Sequence, residues 1–451
     1  MTTGNSDTIA AIATARGNAG IGIIRLSGPA VCDIQRQLFA GKLEPRKATL
    51  VKIYDQQQRL IDRVLLIFFP APNSFTGEDV LEVQGHGGMV LQDMLLEHIL
   101  SLGCRQARAG EFSERAFLNG KIDLSQAEAI ADLIEGQTRS AVRGAMRSLQ
   151  GDFSKEIYAL LEGLIHLRML AEACLDFPDE EIDELPVKEV EQRLLSVQEK
   201  IKPLLRFARN GSLLRDGFHL VLVGRPNAGK SSLLNVLTKN DTAIVSEQPG
   251  TTRDIIRDRI DLDGIVIDIS DTAGLRQASD TIESEGIRRT KNELESADRV
   301  LLIIDEADYS EASRNALMSY LEHDIPVTII RNKIDLQNRE PEIKYRERWV
   351  EILLSIKSGA GLDLLYRHLK EITSSDTLSE GVYTARRRHV EALQKADVSL
   401  QDAGRHISAS VQLELFAEDC RRAQNSLNEI TGEFGSEDLL GKIFSSFCIG
   451  K

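Results

Sequence analysis

No apolar run in the 451 residues approaches the roughly 18 to 20 residues that a membrane span needs, so a bilayer-crossing helix is excluded. Met1 to Ala10 lacks the basic segment and apolar stretch of a secretory signal, which predicts a protein kept in the cytoplasm. Five cysteines, Cys32, Cys104, Cys174, Cys420 and Cys448, are odd in number and widely scattered. They form neither a CxxC pair nor a metal-ligand cluster, and read as reduced thiols. Positive charge is short as well. A formal net charge of −14 argues against a chain that coats nucleic acid nonspecifically. Arg386, Arg387 and Arg388 are a local basic patch, either a docking site or a solvated helix face. Internal repeats and low-complexity tracts are also missing.

What is present is long enough for several domains, since single cores rarely serve more than about 250 residues. Residues 1–118 mix apolar runs (Ile21 to Leu26, Val64 to Phe69, Val80 to Val83) with glycine turns and two helices, which predicts an α+β domain. From residue 119 to about 215 apolar residues recur at three and four spacing, the period of helices, with a break expected near Pro178. Residues 216–375 alternate β-branched runs (His219 to Val223, Ile265 to Ile269, Val300 to Ile304, Val327 to Ile330, Ile352 to Leu354) with helical stretches. That alternation predicts a parallel sheet flanked by helices. Helical spacing returns over residues 376–451. The expected fold is therefore multidomain, α/β plus α, with an α/β domain inserted into a helical one.

The inserted segment carries the chemistry. Gly224-Arg225-Pro226-Asn227-Ala228-Gly229-Lys230-Ser231 fits GxxxxGK[ST] between an apolar run and a helical stretch that opens with Ser232. Its backbone N–H groups can cradle phosphates, Lys230 can reach the β and γ phosphates, and Ser231 can ligate Mg²⁺. Asp271-Thr272-Ala273-Gly274 follows the second strand, where a carboxylate serves the magnesium shell and a glycine N–H senses the γ-phosphate. Asn332-Lys333-Ile334-Asp335 follows a later strand, and Asp335 can accept hydrogen bonds from guanine N1 and N2 that adenine cannot offer. Ser355-Ile356-Lys357 stands where GTPases carry Ser-Ala-Lys against the base, with isoleucine in place of alanine. Between the phosphate motifs, Ser246-Glu247-Gln248-Pro249-Gly250-Thr251-Thr252 forms a polar loop that can close on the nucleotide, with Thr252 as a second magnesium ligand. Leu275 occupies the place of a water-orienting glutamine and cannot do that work. Glu283, in the acidic stretch beyond, can position water; the same residues can equally open a helix with charges that suit its dipole.

These motifs, with GNAGIGIIRLSG (17–28), FTGEDVLEVQGHGG (75–88), RAFLNGKIDLSQAEAI (115–130) and the terminal FCIGK, resemble the MnmE (TrmE) family of tRNA modification GTPases over the whole chain. The resemblance implies an N-terminal folate-binding and dimerising domain, a helical domain built from two segments, and a GTPase domain between them. It implies a potassium-stimulated GTPase with K⁺ ligands at Asn227, Ser246, Gln248 and Thr251, and Glu283 as the catalytic residue. It further implies folate contacts at Arg25, Glu82, Lys121 and Lys451, the donor being 5-formyl- or 5,10-methylene-tetrahydrofolate. Implied partners are a second copy, tRNA, and the FAD-dependent MnmG (GidA) in a heterotetramer that modifies C5 of the wobble uridine. The alternative is a ribosome-assembly GTPase of the Era or EngA type, but no GXXG loop in a basic setting follows the GTPase segment.

Overall fold

The computed structural model describes residues 7–176, 187–240, 257–262, 265–271, 294, 297–318, 325–373, 383–409, 412–433, 437–447 and 450. The chain divides into two compact units: residues 1–131, 149–194 and 398–451 make one, and residues 132–148 and 195–397 the other. No helix among the described residues is long and apolar enough to cross a membrane.

The first unit holds a six-stranded sheet of β1 (Ile9–Ile12), β2 (Ala19–Ser27), β3 (Thr49–Tyr54), β4 (Leu60–Phe69), β5 (Val80–Gly87) and β6 (Arg105–Gln106), in the order β3-β4-β5-β2-β1-β6. All neighbours are antiparallel except β1 and β6. Strand alternation sorts the faces. Ile24, Leu26, Leu81 and Val83 are buried in a core with Ile34, Leu95 and Ile99 from helices Val31–Leu38 and Met89–Leu100. Their neighbours Arg25 and Glu82 stand directly opposite each other on the other face. Sequence patterning expects two helices in this region, and a third, Glu111–Leu118, is present. It is short and carries Glu111, Glu114 and Arg115, so its apolar face is too thin to register as periodicity.

That third helix is fixed by charge. Arg115, only 2% exposed, donates to Asp7 Oδ1 at 2.8 Å, Glu78 Oε2 at 3.1 Å and Glu111 Oε1 at 3.1 Å. Burial pushes the Glu111 carboxyl up, but hydrogen bonds from Arg105, the Arg108 N–H and Arg115 outweigh it and hold it at about 2. Glu78 also accepts from Ser27 Oγ at 2.7 Å, which ties the loop before β5 to the end of β2. The first unit also contains helix Asp152–Asp176 packed against Leu413–Thr431.

In the second unit seven strands form one sheet, in the order β12-β13-β11-β10-β7-β9-β8. These are β7 (Phe218–Gly224), β8 (Arg257–Leu262), β9 (Ile265–Asp271), β10 (Arg299–Asp305), β11 (Val327–Asn332), β12 (Glu342–Tyr345) and β13 (Trp349–Leu353). The central five are parallel, and the edge strands β8 and β12 are antiparallel. The five apolar runs read from the sequence are the five parallel strands, each extended by a residue or two except the last, which begins earlier and ends at Leu353. Leu220, Leu222, Ile267, Ile269, Leu301 and Ile303 are buried on one face and Val300, Leu302 and Ile304 on the other, the two-sided burial of strands covered by helices.

Candidate functional site

The carboxyl ends of the central strands converge. Register aligns Gly224 with Ile303, Asp305 with Asn332, and Leu222 with Asp271. The first strand, β7, has β9 on one side and β10 on the other, so the crevice beside it is the topological switch point where open α/β sheets bind ligands.

The loop from Arg225 to Gly229 leaves β7 and feeds the helix Lys230–Asn240. Asn227 has φ +62° and Gly229 φ +110°, which turns the loop back on itself. Glycine is required for space as well: a Cβ on Gly229 would lie 2.3 Å from Asn332 Nδ2, and one on Gly224 2.4 Å from the Ile303 carbonyl. Lys230 is buried, with Nζ donating to the carbonyls of Gly224 at 2.8 Å and Arg225 at 3.0 Å, so its ammonium is held at the phosphate loop. Ser231 and Ser232 are exposed in the first helical turn, where a hydroxyl is open to a cation and N–H groups to an anion.

Asn332 joins three of the motifs. Its Nδ2 donates to the Ala228 carbonyl at 2.8 Å, and its Oδ1 accepts from the Ile356 N–H at 3.1 Å. One buried amide thus links the phosphate loop, the Asn332–Asp335 base motif and the second base element, Ser355-Ile356-Lys357. Ile356 is buried in the sheet core, and its Cδ1 would be 3.2 Å from a Cβ on Gly229, so the larger side chain is absorbed by packing. Ser355 is fully buried, its Oγ accepting from Ser358 N–H, and Lys357 is exposed. Lys333, at φ +68°, donates to Asp305 Oδ2 at 2.6 Å. Burial raises the Asp305 carboxyl, but the bonds from Lys333 and the Ala307 N–H outweigh it and leave it below the usual range. Asp335 is exposed in the turn Ile334–Gln337 that follows. A cavity of about 100 Å³ opens between the phosphate loop and the end of β10, lined among others by Arg225, Asn227, Ala228, Asp305, Asp308 and Lys333.

Ser246, Glu247, Gln248, Pro249, Gly250, Thr251, Thr252, Thr272, Ala273, Gly274, Leu275 and Glu283 lie outside the described residues, as does the side chain of Asp271, whose backbone ends β9. Sequence reading missed Asp305. The available signal was its place: like Asp271 and Asn332, it is the polar residue that closes an apolar parallel strand.

In the first unit Arg25 and Glu82 meet directly. Arg25 Nε and Nη2 both donate to Glu82 Oε1, at 3.1 and 2.9 Å, while Gln84 Nε2 donates to Oε2 at 3.3 Å. The guanidinium lies 5.5 Å from the partly buried Phe75 ring and 5.9 Å from the fully buried Phe112 ring. Lys121 donates to the Pro72 carbonyl at 2.9 Å, on the same loop as Phe75. Gly450 sits against β1, where a Cβ would come within 2.2 Å of the Ile12 carbonyl; Lys451 and Cys448 lie outside the described residues.

A phosphate loop at the switch point of a parallel sheet, with an Asn-Lys-x-Asp segment bolted to it, defines a P-loop GTPase. The family model described as the MnmE helical domain matches residues 124–448, and that described as the GTP-binding protein TrmE N-terminus matches residues 8–121. The tRNA modification GTPase MnmE of Nitrosococcus oceani is 50% identical over 447 residues, covering 99% of this chain and 97% of its own. The protein of that name from Coxiella burnetii is 48% identical over 448 residues, covering 99% of both chains. One from Histophilus somni is 48% identical over 449 residues, again covering 99% of both. The chain belongs to the MnmE family.

Proposed function

We propose that this GTPase acts in tRNA modification, adding a carboxymethylaminomethyl or aminomethyl group to C5 of the wobble uridine together with the FAD-dependent partner MnmG. The observation that carries the nucleotide half of this reading is the Asn332 bridge, which gives phosphate loop and base motif a fixed relative position. Residues 227–232 hold the phosphates, and Lys333, Asp335 and residues 355–357 hold the guanine. Ser231 and Thr252 would hold Mg²⁺, and Asn227, Ser246, Gln248 and Thr251 would hold K⁺. Bound there, the two cations supply positive charge against the phosphates. Glu283 positions the attacking water, the task that Leu275 cannot perform. Residues 216–375 form the GTPase domain, residues 119–215 and 376–451 the helical domain, and residues 1–118 the folate-binding and dimerising domain.

The donor set on the first sheet suits a reduced folate, which supplies a one-carbon unit when bound. Glu82, oriented by Arg25, presents a carboxylate to the guanine-like edge of a pterin. Lys121 and Lys451 then serve the anionic tail. The test is GTP hydrolysis by the purified chain in potassium and in sodium buffer, with Glu283→Ala alongside. Potassium should accelerate turnover by at least about tenfold, and the variant should keep GTP binding while losing turnover. A rate indifferent to the cation would remove the K⁺ ligands from the proposal.

A further inference from the structure

The guanine motif is held from behind by a buried ion pair that lies outside every motif named above. Arg331 and Glu306 have side chains only 9% and 3% exposed, and they meet fork to fork, Nε to Oε2 at 2.7 Å and Nη2 to Oε1 at 2.7 Å. Arg331 immediately precedes Asn332 on β11. Glu306 opens the turn Glu306–Asp308, which follows β10 and is capped by Asp305 accepting from the Ala307 N–H at 3.1 Å. The two neighbours on each segment therefore pair across: Asp305 with Lys333, and Glu306 with Arg331. The Arg331 guanidinium also lies 3.7 Å from the centroid of the Tyr309 ring, and the Tyr309 hydroxyl donates to Glu351 on β13 at 2.9 Å.

A charged pair is an expensive way to fill the end of an apolar sheet face, because each ion loses its water. Bidentate geometry is what it supplies in exchange, since two parallel hydrogen bonds fix orientation as well as distance. Here the fixed object is the turn that carries Asp305, and through Asp305 the ammonium of Lys333. We propose that Arg331 and Glu306 are positioning residues for guanine recognition: together they set where Lys333 and Asp335 stand relative to the phosphate loop. The inference rests on the assignment of Asp335 as the reader of guanine.

The test uses the full chain and two nucleotides, GTP and ITP, whose base lacks the 2-amino group. The ratio of their kcat/KM values reports how well the Asp335 carboxylate is aimed, which a loss of stability alone would not move. Glu306 also pairs with Arg339 at 3.0 Å, and Arg331 Nη1 lies 3.9 Å from Glu351 Oε2. The main variant replaces both ions of the fork, Arg331→Met with Glu306→Leu, and leaves Glu351 its hydrogen bonds from Tyr309 and Trp349. Glu306→Gln, which keeps the shape but turns one of the two acceptor oxygens into an NH₂ donor facing an Arg331 N–H and so breaks the fork, is read by the same ratio and decides the matter should the double variant not fold. Expected is a KM for GTP raised about tenfold, kcat at saturation within about twofold, and a GTP-over-ITP preference reduced about fivefold, with a melting temperature near that of the parent. A folded variant with parental KM and preference overturns the proposal. Asp335→Asn runs in parallel. If it changes the preference while the pair variants do not, only the positioning role fails; if it too leaves the preference unchanged, the guanine assignment itself is lost.

Discussion

At the scale of single residues, the nucleotide site depends on one amide more than on any charge. Asn332 spends both ends of its side chain on backbone, one on Ala228 and one on Ile356. Gly229 lies against that amide, and its φ of +110° is one that side-chain-bearing residues avoid. Gly229→Ala should therefore strain the loop and push Asn332 off the Ala228 carbonyl together. Affinity for a fluorescent GTP analogue should drop by at least about tenfold, the size of effect expected when a buried polar group loses its partner. The far end of the sheet yields a second residue-scale expectation. His368 is 2% exposed, its Nε2 is 2.9 Å from Thr328 Oγ1, and burial, with the nearby Arg299 charge, pushes its pKa down to about 4 despite the opposing pull of Glu371. Above its ordinary value of 6.5 both folded and unfolded chains hold it neutral. As pH falls from there towards about 4, the unfolded chain takes up a proton that the folded chain refuses, so stability is lost across that window. Urea midpoints at pH 7 and pH 5 should differ more for the parent than for His368→Gln.

Elements differ in how far the sequence announces them. The parallel strands were legible because each is a short, mostly apolar run, Val300 to Ile304 the clearest and broken elsewhere only by such residues as Asp268 and Thr328, and burial on both faces favours that pattern. The edge strands β8 and β12 were not. Arg257–Leu262 reads RDRIDL and Glu342–Tyr345 reads EIKY, charged sequences suited to an edge with one face and one side open to water. Motif residues were equally uneven. Lys230, Asn332 and Lys333 announce themselves by spacing, whereas Asp305, Glu306 and Arg331 belong to no motif, and their roles exist only because the sheet register sets β10 beside β11. Arg25 and Glu82 lie 57 residues apart in sequence and became neighbours only through the pairing of β2 with β5.

At the scale of the whole chain, the α/β sheet of the second unit is tied at the two points where the polypeptide enters and leaves it. Asp132, with 4% of its side chain exposed, accepts at Oδ1 from Arg215 Nε at 2.7 Å and from Arg386 Nη2 at 2.8 Å. Ser148 Oγ donates to the Thr384 carbonyl at 2.9 Å. The backbones themselves touch, since a Cβ on Gly211 would fall 2.3 Å from the Tyr383 carbonyl. Asp132→Ala removes the acceptor that Arg215 and Arg386 share, Arg215 keeping its pair with Asp216, and should cost about 1 to 3 kcal/mol of unfolding free energy. Thermal unfolding should show the loss, and Asp132→Asn, which keeps an acceptor oxygen, should show less of it.

The meeting of Gly211 with Tyr383 has a meaning in genetic terms. A stretch of coding sequence whose product departs and returns at one spot can enter a gene as a single in-frame insertion between adjacent codons, and can leave it again with only a short turn needed to rejoin the ends. The sheet is in that sense a cassette: the chain between Gly211 and Tyr383 departs and returns at one place.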